Sequence, residues 1–187
     1  MAIVMGIETA ITILLSAFFY NPKVYFEVGK IVHRIKIHQG KVATLNVDAI
    51  VNQLVVNPQG INDVSQGHAG VGSSLIGDVR IVLASEESPN TVIEVVGPRW
   101  RGGEYQEEEQ LASCYRKAMD MAKRQNFRTI SFTTISGGAI GFPVNRATKI
   151  AVQQVDSALR QNPWMESVTF CCSDPVTTAL YRTHVGR

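Results

Sequence analysis

Residues 130–143 read Ile130-Ser-Phe-Thr-Thr-Ile-Ser136-Gly-Gly-Ala-Ile-Gly-Phe-Pro143. An apolar strand runs here into a glycine-bearing turn, and a proline opens the helix that follows. Gly137, Gly138 and Gly141 let the backbone turn sharply and approach a ligand with no Cβ in the way. A proline in the first helical turn is tolerated because its missing N–H has no partner within the helix, which places Pro143 at the helix start. The unpaired N–H groups of such a turn, with the positive end of the helix behind them, form a cradle for phosphate or another anion. The candidate ligand loop is therefore Ser136, Gly137, Gly138, Ala139, Ile140, Gly141 and Phe142. A tight βα turn with no ligand shows the same pattern, so the surrounding sequence has to decide.

Working outward, apolar spacing alternates between strand and helix. Residues 24–28 and 31–38 alternate as strands, with Ile31, His33, Ile35 and Ile37 on one face of the second. Residues 49–56 are an apolar run broken by Asn52 and Gln53, as a buried strand and its exit would be. Strands follow at 79–84 and 91–96, joined by the polar turn 85–90. A helix over 104–125 carries Leu111, Tyr115, Ala118, Met119 and Ala122 on its inner face. Then come a strand over 129–135, a helix over 144–159, a strand over 167–172 and a helix over 175–183 opened by Pro175. Strands interleaved with helices predict an α/β fold, a three-layer α/β/α sandwich around a mixed sheet. Ligands of such sheets bind beyond the carboxyl ends of the strands, where residues 136–142 fall.

The chain of 187 residues is long enough for one domain with a substantial core, and its net charge of +2 is too mild to imply nucleic acid. A basic group formed by Lys23, Lys30, Arg34, Lys36 and Lys41 is the only feature pointing that way. Cys114, Cys171 and Cys172 do not pair evenly and lack metal-ligand spacing, so buried reduced thiols in a cytoplasmic protein are expected. No metal and no cofactor is implied. Residues 1–22 are expected to form an apolar N-terminal helix, and residues 23–187 a single domain. Glu8, Thr12 and Ser16 make a thin polar stripe on that helix among Ile3, Ile7, Ile11, Leu14, Leu15 and Phe18. Such a helix docks on the domain or on a protein partner, or serves as a short membrane anchor. A buried central acid argues against the anchor, and a misassigned start site would also explain the segment.

Four anchors in one order carry a family resemblance: Val47-Asp-Ala-Ile-Val-Asn52, Val95-Val-Gly-Pro-Arg-Trp100, Leu111-Ala-Ser-Cys-Tyr115 and the 136–143 stretch. Together they resemble the macro domain family, the ADP-ribose-binding α/β/α module, over about Ile31 to Tyr181. The resemblance implies ADP-ribose or a related nucleotide as ligand and Ser136 to Phe142 as the second phosphate loop. It also implies a first loop, of which Asn52, Gly60 and Val64 are the remnant.

Against that pattern the chain departs at several contacts. The family's acid for the adenine amino group is replaced in Gly40-Lys41-Val42 by a lysine, which has donors only. Its Val-Asn-Ala-Ala-Asn motif reads Val51-Asn52-Gln53-Leu54-Val55. The first loop keeps one glycine in Gly60-Ile-Asn-Asp63-Val64, where Asp63 sets negative charge at the diphosphate's place. The stretch after it is short and holds Gly67, Gly70 and Gly72, poor helix formers. Ser173 stands where an aromatic would cover the adenine. A lost charged hydrogen bond and lost base stacking together cost roughly 2.5–6 kcal/mol, or about two to four decades of affinity. The expected function is a degenerate, non-catalytic macro domain that binds ADP-ribose or phosphate weakly at the second loop. The alternative is an ADP-ribose-derivative hydrolase with a remodelled first loop, either an O-acetyl-ADP-ribose deacetylase or a mono-ADP-ribosyl hydrolase. Asp48 is read as a turn-maker beside its strand, and His33, His38 and His184 as solvent-facing.

Overall fold

The computed structural model describes residues 33–54, 76–83, 91–136 and 140–186. The helix expected over 1–22, the strand expected at 24–28, the turn expected at 85–90, the first-loop positions Gly60 and Val64, and Gly137 to Ala139 lie outside the described residues.

Strands β1 (Ile35–Gln39), β2 (Ala49–Leu54), β3 (Val79–Val82), β4 (Val92–Val96), β5 (Thr129–Phe132) and β6 (Ser167–Cys172) form one six-stranded sheet in the order β1-β6-β5-β2-β4-β3. All neighbours are parallel except β3, which runs antiparallel to β4 at the edge. Every residue of β6 is buried, as expected of an inner parallel strand covered on both faces. The helices are α1 (Glu107–Arg124), α2 (Val144–Gln161) and α3 (Pro175–Val185). The crossovers β4–α1–β5 and β5–α2–β6 step the same way along the sheet. Right-handed connections then put both helices on one face, where α1 packs on α2 and α2 on α3.

The core beneath those helices is an aromatic series. Tyr115 of α1 meets Phe132 of β5 at 5.1 Å between ring centroids, and Phe132 meets Phe170 of β6 at 6.0 Å. Phe170 stacks on Tyr181 of α3 at 4.3 Å. Both phenols are buried and share a side-chain hydrogen bond, and burial pushes each far above its ordinary pKa. Cys114, Cys171 and Cys172 are free and buried, as expected.

Local chemistry explains the element ends. Asp174 caps α3 by accepting from the Thr177 N–H at 2.8 Å, with Pro175 in the first turn. Pro143 corrects the expectation at α2: its ψ of 114° is not helical, so it is the cap and the helix starts at Val144. Its carbonyl still accepts the first helical bond, from Ala147 at 2.9 Å. Arg34 is not a strand residue presenting charge. Its guanidinium donates to the carbonyls of Leu159 at 3.0 Å, of Met165 at 2.8 Å and of Asn162, closing the carboxyl end of α2. That consumes one member of the basic group on which nucleic-acid binding would rest.

Candidate functional site

The sheet order reverses between β2 and β5: the chain leaves β5 toward β6 on one side and β2 toward β3 on the other. A crevice opens at such a switch point beyond the carboxyl ends of the strands. Here Asn52 and Gln53 lie near the end of β2, just before Leu54, and Ser136 follows β5.

Ser136 is fully buried and has φ of 60°, the left-handed region that a non-glycine residue enters only when its surroundings hold it there. Its hydroxyl donates to the Pro98 carbonyl at 2.9 Å. Its N–H donates to the Gln53 side-chain oxygen. Its carbonyl accepts from the Phe142 N–H at 3.3 Å, which draws the two ends of the loop together. Asn52 is tied to the same frame, its carboxamide oxygen accepting from the Thr133 hydroxyl at 3.0 Å.

The far end of the loop is held by Trp100. The Trp100 N–H donates to the Ile140 carbonyl at 3.2 Å, and its ring lies 4.7 Å from that of Phe142. The Arg146 guanidinium sits 5.7 Å over the same indole while pairing with Glu108 at 3.0 Å. Trp100 is placed in turn by Glu107, a fully buried carboxylate that accepts from the N–H groups of Arg101 (2.9 Å), Gly103 (3.1 Å) and Tyr105 (2.7 Å). Burial works against the charged form, but these N–H groups outweigh it and hold the carboxyl below its ordinary pKa. A Cβ at Gly103, where φ is 93°, would come within 2.9 Å of the indole ring, so glycine is needed for this approach.

Of the sequence-predicted loop, Ser136, Ile140, Gly141 and Phe142 gather at this crevice. Asn52 joins them from β2. Gly60, Val64, Gly137, Gly138 and Ala139 fall outside the described residues. At the β1–β6 end, Lys41 and Ser173 are exposed, and neither offers what an adenine-binding acid or aromatic would. His38 is a correction: its Nε2 is shielded from solvent and has no hydrogen-bond partner among the described residues. The ring folds back over Gly40, where a Cβ would lie 2.8 Å from Nε2. His184 stays at the surface, its Nε2 lying 2.9 Å from the Asn145 carboxamide oxygen. Asp48 acts as a turn-maker, its carboxylate accepting from the N–H groups of Arg128 at 2.7 Å and Thr129 at 2.8 Å. Sequence reasoning missed the roles of Gln53 and Gly97 and the loop clamp made by Glu107. A glutamine breaking an apolar strand end was the signal available for the first.

A family model described as macro domain matches residues 58–151. A macro domain-containing protein of Mesorhizobium japonicum is 34% identical over 166 residues, covering 82% of this chain and 94% of its own length. A protein of Salmonella newport named O-acetyl-ADP-ribose deacetylase is 35% identical over 164 residues, covering 79% of this chain and 92% of its own. The solved Trypanosoma brucei macrodomain in complex with ADP-ribose superposes with a TM-score of 0.69 at 25% identity, covering 84% of this chain and 71% of its own. The mixed sheet with its helices is the macrodomain α/β/α fold, and the chain belongs to the macro domain family.

Proposed function

We propose that this macro domain is a non-catalytic binding module that holds ADP-ribose or a related nucleotide weakly, through its phosphates, at the loop from Ser136 to Phe142. The observation that carries this reading is an imbalance within the cleft. The frame of the second loop is kept by Ser136, Trp100 and Phe142. At the β1 exit, by contrast, exposed Lys41 offers only donors to an adenine amino group. A ligand gripped at one end and not at the other binds weakly, because its ordering cost is met by fewer contacts. Titration of ADP-ribose, AMP and inorganic phosphate by calorimetry tests it: the three are expected to bind with similar, weak affinity. An ADP-ribose affinity several decades above that of phosphate would sink the reading.

A second reading is favoured by relatives that carry the name O-acetyl-ADP-ribose deacetylase at 35% identity. On that reading the chain is a hydrolase of an ADP-ribose derivative, with the general base supplied from its remodelled first loop. Turnover of O-acetyl-ADP-ribose or mono-ADP-ribosylated protein, lost in Gly138→Glu, would establish it. Absence of turnover with an intact, ADP-ribose-binding protein would remove it.

A further inference from the structure

Gln53 makes a contact that the family pattern does not supply, since its position in the Val-Asn-Ala-Ala-Asn motif belongs to alanine. The Gln53 Oε1 accepts from the Ser136 N–H, the first amide of the second loop. Because that N–H can only donate, the contact fixes which end of the carboxamide is oxygen. The Nε2 end is thereby committed to the other side, where it is shielded from solvent and has no hydrogen-bond partner among the described residues. Gly97 shows how closely the arrangement is fitted. A Cβ there would lie 2.9 Å from Gln53 Nε2 and 2.7 Å from Ser136 Oγ, so only glycine leaves room for the carboxamide to reach the loop.

We propose that Gln53 is a selectivity residue of this cleft: its carboxamide oxygen sits on the Ser136 N–H in the place of a ligand oxygen, and only an anionic oxygen displaces it. The proposal rests on the reading of residues 136–142 as a phosphate loop. One hydrogen bond is gained and one buried donor is left unmet, so the closed arrangement is held by little net free energy. Charge-assisted hydrogen bonds are roughly twice as strong as neutral ones. A phosphate oxygen therefore wins the Ser136 amide and frees Gln53 Nε2 to find a partner. A sugar hydroxyl or a neutral base carbonyl competes on equal terms with the carboxamide and gains nothing. Gln53 thus costs the loop some affinity for every ligand and costs neutral ligands most.

The test compares the full chain with Gln53→Ala and Gln53→Glu, without ligand and with ADP-ribose, inorganic phosphate and adenosine. Without ligand, Gln53→Ala removes the acceptor, so the Ser136 amide exchanges measurably faster with solvent deuterium. In calorimetry, Gln53→Ala should bind ADP-ribose and phosphate about tenfold tighter, equivalent to about 1.4 kcal/mol. It should also discriminate less against adenosine. Gln53→Glu, a charged acceptor in the same place, should bind both anions more weakly than the parent. Unchanged exchange at Ser136 in Gln53→Ala overturns the proposal whatever the ligand data. Binding by the parent with no gain in Gln53→Ala overturns it while leaving the phosphate-loop reading intact. Faster exchange with no anion binding by any form overturns the phosphate-loop reading, and the selectivity role with it.

Discussion

Ser136 is asked to do two things that oppose each other energetically, and separating them makes a sharp prediction. Its φ of 60° costs an L-residue roughly 1–2 kcal/mol. Its hydroxyl contributes a buried hydrogen bond of 2.9 Å to the Pro98 carbonyl. Deleting that hydroxyl leaves the carbonyl unmet and costs roughly 1–3 kcal/mol. Ser136→Ala loses the bond and keeps the backbone strain. Ser136→Gly loses the same bond and relieves the strain, but adds unfolded-chain entropy worth roughly 0.4–1 kcal/mol. Strain relief is the larger of these two differences, so the glycine variant should be the more stable by about 0.8 kcal/mol. Both variants should be less stable than the parent. Urea unfolding followed by circular dichroism measures the series, and an unchanged dependence on denaturant would confirm that only stability has moved. An alanine variant more stable than the glycine variant would refute a left-handed backbone at 136. An alanine variant matching the parent would refute the bond to Pro98.

Asp48→Ala should cost about 1 kcal/mol, a figure already discounted for solvent exposure of the carboxylate. Although burial opposes the charge, the Thr129 and Arg128 N–H groups hold its folded pKa below the ordinary value. Its stabilisation is therefore present at neutral pH and lost as pH falls through that lowered pKa, so the variant should show a shallower acid limb in pH-dependent unfolding. Trp100→Ala should weaken phosphate binding several-fold without unfolding the domain, because it removes the ring contact to Phe142 and the indole beneath Arg146 while leaving the backbone bond to Ile140 in place; unchanged phosphate affinity would contradict the positioning role. The three free cysteines should resist a thiol reagent in the native protein and react in denaturant, since burial pushes Cys114 and Cys172 each up to about 11 and raises Cys171 as well. Rapid native reaction at pH 8 would contradict their burial.

How much was legible depended on whether the deciding forces were local. The strand expected at 167–172 matches β6 residue for residue, because a short apolar run between polar flanks needs no distant partner to be recognised. The start of α1 was set too early by three residues. Glu104 to Gln106 suit a helix by composition, but Gln106 has φ of 60° and Glu107 turns its carboxylate back onto residues 101–105. The strand expected over 129–135 ends at Phe132, where the chain leaves the ladder and buries Ile135 instead. In the site, the loop ends Ser136 and Phe142 were readable from glycine spacing. Gln53 was not, because its contact joins positions 83 residues apart and depends on the absent side chain of Gly97. Arg34 escaped for the same reason: a basic residue in an alternating pattern reads as surface charge until a helix end 125 residues away comes to meet it. His38 shows the opposite error, a polar side chain assumed to be wet that packs against its own following turn.

The most direct test of the account is the calorimetric affinity of the full chain for ADP-ribose set beside its affinity for inorganic phosphate. A ligand held by the second loop alone predicts dissociation constants of roughly 0.1 mM or weaker for both, within about tenfold of each other. A dissociation constant near about 1 μM for ADP-ribose, with phosphate far weaker, would mean that the adenine end and first loop are rebuilt, and would contradict it.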